Sequence, residues 1–248
     1  MGRWSRQLAP AYVSWLRMPK GSHWLDVGCG TGALTEAICV HAEPASVLGC
    51  DPSAPFIEYA NQNSHHDRAS FVVAGSGSLP GHSHGYDCVA SLLALNFFPD
   101  PTFSVQEMRK LVRPGGVVSA CVWDYSGKME FLRYFWDVAI AEDPHARSQD
   151  EGNRFPICRR NSLMDLYLSA GLADVKCEPI EILTIFRDFQ DYWQPLLGGT
   201  GPAPAYVASL EKIQRETFRR KLARRLPQKE SGAIALIARS WAVRGRVI

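Results

Sequence analysis

Residues Leu25–Gly32 read Leu-Asp-Val-Gly-Cys-Gly-Thr-Gly and decide how this chain folds. The stretch follows a short apolar run and leads into a helical pattern, so it predicts a turn between a strand and a helix. Glycine adopts positive φ without a steric penalty and lets a ligand approach the backbone closely. The first turn of a helix also offers N–H groups that have no partner within the helix. The stretch therefore predicts a turn that can hold a ligand.

Outward from this turn, short β-rich runs alternate with helical patterns, which is typical of βαβ units and a parallel sheet. The predicted strands of the first half are Trp24–Val27, Ser46–Cys50, Ser70–Val73, Tyr86–Ser91 and Val117–Trp123. The predicted helices between them are Ala33–Val40, Ala54–Gln62 and Pro101–Val112. The strands are nearly continuously apolar, which is expected where helices cover both faces of a sheet.

The alternation becomes irregular in the second half of the chain. Helical patterns there cover Met129–Ala141, Asn161–Ala170 and a basic stretch around Tyr206–Arg225, and strand patterns cover Ala173–Phe186 and Ala233–Val243. Together the strands predict an α/β fold with a doubly wound, mostly parallel seven-stranded sheet. We interpret 1–248 as a single domain in which segments 125–160 and 188–228 are helical insertions. The second insertion holds the turn-forming loop Gly198–Pro204.

Composition limits the classes of partner. The chain has 248 residues, of which 46% are hydrophobic and 21% charged, so it can bury one large core. Its formal net charge of +2 gives no reason to expect nucleic acid as a partner. No stretch approaches the roughly 18 consecutive apolar residues of a membrane span, and no apolar signal core follows the first basic residues. We therefore expect neither a membrane partner nor secretion.

The cysteines and histidines indicate the compartment and the metal content. Seven cysteines form an odd set without a C-x-x-C pair, and most have apolar neighbours, as small buried hydrophobic residues do. This usage fits a reducing cytoplasm. His65-His66-Asp67 lacks the i, i+3 or i, i+4 spacing that places metal ligands on one helix face, so no metal site is predicted.

Two acidic residues and a second glycine motif narrow the choice of ligand. With Ala33 the glycine turn fits the pattern G-x-G-x-x-[GA], which alone is a weak signal. Asp51 ends the second strand about 20 residues past the turn, where a carboxylate can accept both hydroxyl protons of a ribose. That feature suits adenosine in NAD and in S-adenosylmethionine alike. Asp26, before the first glycine, and the run Leu111–Gly116 favour S-adenosylmethionine over NAD.

With these residues the chain resembles class I S-adenosylmethionine-dependent methyltransferases, especially the small-molecule branch similar to the quinone-biosynthesis enzymes. The resemblance is specific over Trp24–Trp123 and implies a Rossmann-like methyltransferase fold with S-adenosylmethionine as the cofactor. It also implies that Asp26, Gly28 and Gly30 lie against the methionine part. Ser91 and Leu92, after the fourth strand, would pass their backbone close to the sulfonium.

At the adenosine end, the resemblance implies that Asp51 holds the ribose and that Pro52 and Ser53 border the adenine. The family pattern has an Asp before a Leu-Pro pair to bind the adenine amino group, and this chain has Gly75 at that position. Ser76, or a backbone carbonyl nearby, is the candidate to replace it.

The acceptor side needs few catalytic groups, because a sulfonium methyl is already activated and the protein chiefly aligns the acceptor. A base is needed only where the acceptor must lose a proton. Ligands of open α/β sheets bind at the carboxyl ends of strands, so the candidates are Asn96 after the fourth strand and Asp124 and Tyr125 after the fifth. Asn96 stands where related enzymes often have His, which disfavours proton abstraction there, and Asp124 also fits a turn former.

Segments 125–160 and 188–228 are expected to cover the acceptor pocket as a lid. The second contains Tyr192 and Trp193, which are candidate pocket residues unless they pack the insertion against the core. The basic stretch Lys212–Arg225 fits either a solvated helix face or a surface for an acidic partner.

The leading prediction is an enzyme that transfers a methyl group from S-adenosylmethionine to a small-molecule acceptor by in-line displacement. An NAD-dependent oxidoreductase is the first alternative, disfavoured because no Tyr-x-x-x-Lys pair follows the nucleotide-binding half. A non-catalytic protein that binds S-adenosylmethionine or a protein partner is the second. The absence of an adenine-side Asp keeps this second alternative open.

Overall fold

The computed structural model describes residues 2–198 and 201–248. Gly199 and Thr200, in the loop predicted at Gly198–Pro204, lie outside the described residues. The structure contains two compact units. Unit 1 is the chain up to Val122 together with Arg159–Ile180 and Trp241–Ile248, and unit 2 is Trp123–Cys158 and Glu181–Ser240.

Seven strands form one sheet. They are β1 (His23–Val27), β2 (Ser46–Asp51), β3 (Ala69–Val73), β4 (Tyr86–Leu92), β5 (Val112–Trp123), β6 (Ala173–Phe186) and β7 (Ile234–Arg246). Their order across the sheet is β3-β2-β1-β4-β5-β7-β6. The pairs β1/β2, β1/β4, β2/β3 and β4/β5 are parallel. The mostly parallel, seven-stranded sheet predicted from the sequence is therefore confirmed.

Strand β7 is antiparallel to its neighbour β5. The Gly115 N–H donates to the Val247 carbonyl at 2.7 Å, and the Val247 N–H donates to the Gly116 carbonyl at 3.0 Å. Further along, the Ser119 hydroxyl donates to the Val243 carbonyl at 2.7 Å. Partner numbers on β7 fall as those on β5 rise, which defines an antiparallel pair.

Eleven α-helices lie among the described residues. They are α1 (Gly2–Leu16), α2 (Ala33–His41), α3 (Ala54–Asn63), α4 (Pro101–Leu111), α5 (Glu130–Glu142), α6 (Glu151–Arg154), α7 (Arg160–Ser169), α8 (Phe189–Trp193), α9 (Pro195–Gly198), α10 (Pro202–Ser209) and α11 (Lys212–Arg225). Short 3₁₀ turns occur at Leu95–Phe97, Pro144–Ser148 and Pro156–Cys158.

Helix boundaries follow local chemistry. At the start of α4, the Asp100 carboxylate accepts a hydrogen bond from the Phe103 N–H at 2.9 Å, with Pro101 in the first turn. The single helix predicted around Tyr206–Arg225 is instead two helices. Glu211 and Gln214 form a reciprocal capping box that starts α11 after α10 has ended, so the break is encoded locally.

In unit 1 the core lies between the sheet and its helices. Tyr12 of α1 is fully buried, and its hydroxyl donates to the Ser119 hydroxyl of β5 at 2.6 Å. The edge strand β3 is less covered than the central strands, since Val72 and Val73 are 37% and 52% exposed. An edge strand has one neighbour and fewer covering elements, so apolar residues there stay partly in solvent.

Unit 2 is built around aromatic side chains. Its buried rings include those of Phe131, Phe135, Trp136, Phe186, Tyr192, Trp193, Tyr206 and Phe218. Many meet edge to face, for example Phe135 and Trp136 with centroids 5.0 Å apart and Phe131 and Tyr192 with centroids 4.9 Å apart. Such contacts add about 0.5–1.5 kcal/mol per pair beyond the burial of area.

Candidate cofactor site and acceptor-side residues

The glycine turn between β1 and α2 has the backbone that its sequence predicts. Gly28, Gly30 and Gly32 have φ of 73°, 54° and 86°, a region that residues with a Cβ avoid. A Cβ on Gly28 would lie 2.5 Å from the Cβ of Ala94, so only glycine fits there. A Cβ on Gly30 would meet no atom of the described residues within 4 Å. Gly30 therefore borders open space in which a ligand can lie.

Asp26, the penultimate residue of β1, is a fully buried carboxylate. Its Oδ2 accepts hydrogen bonds from the Thr35 N–H at 3.1 Å and the Thr35 hydroxyl at 2.8 Å. Its Oδ1 is buried without a partner among the described residues. The pKa of Asp26 is raised to about 7, chiefly by burial and to a lesser extent by nearby Asp51, while the hydrogen bonds from Thr35 act in the opposite direction. A cationic group beside Oδ1 would satisfy this atom and favour the anion.

Asp51 connects the glycine turn to the end of β2. Its Oδ2 accepts a hydrogen bond from the Gly30 N–H at 3.0 Å, and its Oδ1 accepts one from the Ser53 N–H at 2.9 Å. An ionised carboxylate offers about four lone-pair positions, so both oxygens keep capacity for hydroxyl donors. The structure thus brings Asp26, Gly30 and Asp51 together, as the sequence predicts.

The loop after β3 carries Gly75 and Ser76, and the predicted adenine-side residues Pro52 and Ser53 directly follow β2. The Ala74 N–H donates to the Asp51 carbonyl at 3.1 Å, which ties the start of the loop to the end of β2. A Cβ on Gly75 would lie 3.4 Å from Pro52. The Ser76 hydroxyl lies 2.8 Å from the Ser104 hydroxyl of α4.

The end of β4 shows backbone strain that the sequence did not reveal. Ser91 is fully buried, and within the described part of the chain its hydroxyl has no hydrogen-bond partner. Two residues later, Leu93 has φ of 60°, in the left-handed region that favours glycine. The Leu93 N–H donates to the Cys121 carbonyl at 2.7 Å. Nothing in a Leu-Leu pair signals this conformation, and strained residues of this kind cluster at functional sites.

Asn96 lies in the 3₁₀ turn that follows β4. Its side chain is 7% exposed, and its Nδ2 finds no acceptor in the described residues. An unpaired buried amide N–H₂ costs about 1–3 kcal/mol, which a ligand oxygen would recover. Asn96, an acceptor-side candidate from the sequence, thus has a buried amide N–H₂ that is available to a ligand.

Asp124 and Tyr125, the other predicted acceptor-side residues, already have partners within unit 2. The Asp124 Oδ2 forms an ion pair with the Arg239 guanidinium, whose Nε lies 2.7 Å away, and accepts a bond from the Lys128 N–H at 3.2 Å. Tyr125 is 4% exposed, and its ring centroid lies 5.8 Å from that of Phe155. The ion pair favours a structural role for Asp124 over a catalytic one.

Tyr192 and Trp193 belong to the aromatic core of unit 2. Tyr192 is fully buried, and its hydroxyl donates to the Phe131 carbonyl at 2.7 Å. Trp193 is 3% exposed and stacks near Phe189 at a centroid distance of 6.0 Å. These contacts support the packing alternative for both residues over a place in an acceptor pocket.

Unit 2 also contains a buried carboxylate that sequence reasoning missed. Glu151 is 7% exposed and accepts a hydrogen bond from the Trp136 indole N–H at 2.5 Å. Burial is the main cause that raises its pKa. The adjacent Asp150 forms a buried ion pair with Arg133. The sequence around Glu151 is polar, so no local signal marks it as buried.

The basic stretch on α11 is partly engaged within unit 2. The Arg215 guanidinium donates to the Val207 and Leu210 carbonyls at 3.1 and 3.0 Å. Lys221 pairs with Glu142 at 2.5 Å. The helix face is thus tied to neighbouring segments at these positions.

Membrane and thiol features complete the description. Across residues 2–198 and 201–248, no helix combines the length and apolar character that a bilayer span requires. All seven cysteines are free thiols, and six of them are buried. Their predicted use as small buried residues is confirmed.

Comparisons with known proteins show the family to which the chain belongs. A family described as a methyltransferase domain matches residues 25–120. The chain is 31% identical over 179 residues to the demethylmenaquinone methyltransferase of Bacillus licheniformis, which covers 66% of this chain and 76% of that protein. The chain belongs to the class I S-adenosylmethionine-dependent methyltransferases.

Other similarities are shorter or concern the fold alone. Malonyl-acyl-carrier-protein O-methyltransferase of Hahella chejuensis is 37% identical over 94 residues, which is 37% of this chain and 33% of that enzyme. The match thus spans about a third of that relative's length. Phosphoethanolamine N-methyltransferase 2 of Haemonchus contortus, in complex with S-adenosyl-L-methionine, has a TM-score of 0.58 at 12% identity. It covers 98% of this chain and 53% of that chain.

Proposed function

We propose that this protein transfers the methyl group of S-adenosylmethionine to a small-molecule acceptor. The observation that carries the proposal is the set of buried polar atoms left unpaired at the carboxyl ends of β1 and β4. Asp26 Oδ1 and Ser91 Oγ lack partners among the described residues, beside a glycine turn that borders open space. Native proteins rarely leave buried polar atoms unpaired, so a polar ligand is the expected partner.

The proposed cofactor contacts follow from the chemistry of each residue. Asp26 would face the ammonium of the methionine part, with Gly28 and Gly30 beside the chain of that part. The remaining lone pairs of Asp51 would accept the ribose hydroxyls. When bound, S-adenosylmethionine supplies a methyl group activated by its positively charged sulfur.

At the adenine end, Pro52 and Ser53 would border the base. Ser91 and Leu92 would pass their backbone near the sulfur, as predicted from the sequence. These contacts stay proposals that binding measurements on variants can test.

For the acceptor side, we propose Asn96 as a hydrogen-bond donor that orients the acceptor. Its amide nitrogen is not basic, so it aligns an oxygen or nitrogen without removing a proton. Tyr125 stays a candidate for contact with the acceptor. Asp124 is better supported as a positioning residue, because its ion pair with Arg239 orders the turn after β5.

Unit 2 is the proposed source of acceptor selectivity. It contains most of segments 125–160 and 188–228, which are the proposed lid over the acceptor pocket. A small molecule is the favoured acceptor, since the demethylmenaquinone methyltransferase to which the chain is similar is named for a quinone. The free cysteines support a reducing cytoplasm as the place of action.

Calorimetric titration with S-adenosylmethionine, S-adenosylhomocysteine and NAD tests the cofactor. We expect saturable binding of the first two and none of NAD. Saturable NAD binding without S-adenosylhomocysteine binding would favour the oxidoreductase alternative and overturn the proposal.

A labelled-methyl screen tests the transfer itself. The protein is incubated with S-adenosylmethionine labelled in the methyl group and a metabolite extract, and products are analysed by mass. We expect a labelled small molecule, absent from a parallel reaction with the Asp51→Ala variant. Cofactor binding without transfer to any metabolite of the extract would instead favour a non-catalytic binding protein.

A further inference from the structure

We propose that two copies of this chain associate in solution through the end of β6, with segments 181–187 of the two copies paired antiparallel about a two-fold axis at Thr184. The proposal goes beyond methyl transfer and does not depend on it. It concerns a surface of unit 2 that neither the cofactor site nor the acceptor-side candidates use.

Strand β6 lies at the edge of the sheet. It is the last strand in the strand order, and β7 is its one strand neighbour among the described residues. A sheet edge is a template for pairing with another chain unless proline, charges or a covering element protect it. Pro179 has no N–H and protects the middle of β6 in this way, whereas residues 181–187 contain neither proline nor glycine. The end of β6 is therefore the part of this edge that is most open to pairing.

The side chains of this segment alternate between the core and solvent. Every second residue is buried, and the residues between them are exposed, namely Glu181, Leu183, Ile185 and Arg187. Leu183 and Ile185 are 49% and 54% exposed. One face of the strand thus presents two apolar side chains between an acidic and a basic residue, and we call these four residues the β6 strip. On β7 the same alternation leaves Ala235 and Ile237 only partly covered, so the apolar surface extends across both strands.

The order of its residues makes the β6 strip complementary to itself. When two copies run antiparallel with Thr184 opposite Thr184, Glu181 of one copy faces Arg187 of the other, and Leu183 faces Ile185. The two-fold axis repeats both pairs, as in an isologous dimer. Opposite charges and apolar side chains directly across an antiparallel pair stabilise it, and like charges destabilise it. A parallel arrangement would place each charge opposite its own copy, so the sequence favours the antiparallel one.

Both charged residues of the strip can form the additional contact. The Lys128 Nζ lies 3.1 Å from one carboxylate oxygen of Glu181, in an ion pair whose side chains are both exposed. Such exposed pairs contribute little to stability, and the second carboxylate oxygen can accept from another donor. The Arg187 Nε lies 4.0 Å from the Asp191 Oδ2, and 86% of the Arg187 side chain is exposed. Its guanidinium has several N–H groups to donate to a carboxylate of a second copy.

Sedimentation equilibrium of the full chain over a wide range of concentration tests the proposal, at low ionic strength because salt screens exposed charges. We expect wild type to form a reversible dimer with a dissociation constant in the micromolar range, since a short strand pair buries a small interface. Glu181→Arg and Arg187→Glu should each raise this constant roughly tenfold or more, because each replaces both attractive charge pairs by repulsive ones. The double variant, in which the two charges are exchanged, should dimerise like wild type.

A mixture of the two single variants gives a further test of the register. One variant carries basic residues at both paired positions and the other carries acidic residues there. Each should be mostly monomeric alone, and the two together should form a heterodimer about as stable as the wild-type dimer. Leu183→Asp should weaken the wild-type dimer, because its carboxylate would lie opposite the apolar Ile185.

Lys128→Ala and Ile213→Asp are the matched controls. The first removes the partner of Glu181 within the chain, and the second adds a charge at an apolar side chain of α11 that is 83% exposed. Both should leave the dissociation constant unchanged, and melting curves show whether each variant keeps its fold. A wild type that stays monomeric throughout, single charge variants that dimerise like wild type, or a double variant that stays monomeric would each overturn the proposal.

Discussion

At the carboxyl ends of β1 and β4 in unit 1, buried polar side chains keep atoms unpaired, whereas the polar side chains first suspected in unit 2 have internal partners. Asp26 Oδ1 and Asn96 Nδ2 have none among the described residues. In unit 2, Asp124 holds Arg239, and the Tyr192 hydroxyl donates to a backbone carbonyl. Residue type alone suggested a functional role in both regions.

This difference in pairing indicates which polar groups are available to bind a ligand. A buried polar atom without a partner costs about 1–3 kcal/mol, and a ligand group that pairs with it recovers that cost. In a buried ion pair such as Asp124 and Arg239, each charged group offsets the desolvation cost of the other. Among the candidate site residues, unused hydrogen-bonding capacity therefore separates Asp26 and Asn96 from Asp124 and Tyr192 more clearly than residue type does.

The largest expected effect tests the structural reading of unit 2. Tyr192→Ala removes a fully buried ring from the aromatic core and should lower the free energy of unfolding by about 3–5 kcal/mol. Tyr192→Phe keeps the ring and should cost only about 0.5–1.5 kcal/mol for the lost hydrogen bond. Chemical denaturation measures both, with Tyr59→Ala at a 43% exposed site as the control. A Tyr192→Ala variant with full stability but no turnover would instead support a place for Tyr192 in the acceptor pocket.

A smaller effect is expected at the cofactor side. Asp51→Ala should weaken S-adenosylhomocysteine by about 1.5–3 kcal/mol, or roughly ten- to hundredfold in Kd, because charge-assisted hydrogen bonds are lost. Asp67→Ala, which removes an exposed loop carboxylate, controls for net charge. Calorimetry gives the two Kd values. Equal affinities in the two variants would remove Asp51 from the site.

Variants at Gly30 and Gly21 distinguish the effect of backbone strain from the effect of filling the space for the ligand. Both have positive φ, 54° and 75°, and a Cβ on either would meet no described atom within 4 Å. Alanine at either position should cost about 1–2 kcal/mol of stability through the left-handed backbone. Only Gly30→Ala should also weaken cofactor binding, and Gly30→Val should weaken it further. Paired melting curves and titrations give the comparison, and parallel behaviour of the two alanine variants would contradict it.

The last prediction concerns the pH dependence caused by Asp26. Burial holds the pKa of this carboxyl at about 7 in the folded protein, above its ordinary 3.8. Its contribution to stability is therefore present below about pH 4 and is lost as pH rises towards 7. A cationic ligand favours the anion, so affinity should increase as pH rises through 7, by at most about tenfold per pH unit below it.

Asp26→Asn should make both dependences flatter, because an amide does not titrate. Titration of S-adenosylmethionine at several pH values, in buffers of different ionisation enthalpy, measures the affinity and the protons released. A wild-type affinity that is constant from pH 6 to 8 would show that Asp26 does not face the cationic part of the cofactor.

Much of unit 1 was predictable because its signals are local. The alternation of strands and helices appears in consecutive runs of residues, and the glycine turn is formed by adjacent residues. The exceptions are Leu93, whose positive φ has no sequence signature, and β3, whose exposure depends on its place at the sheet edge. Both depend on neighbours that are distant in the chain.

The sequence by itself determined the α/β class, the glycine turn and the acidic residues beside it, because glycine conformations and apolar runs act over a few residues. Only the tertiary structure decided which polar groups remain unpaired. Asp124 and Arg239 are 115 residues apart, and the contact between Ser76 and Ser104 spans 28 residues. These pairs form only when distant elements pack together. A list of residue types therefore cannot tell a polar group that is free to bind a ligand from one that already has a partner within the protein.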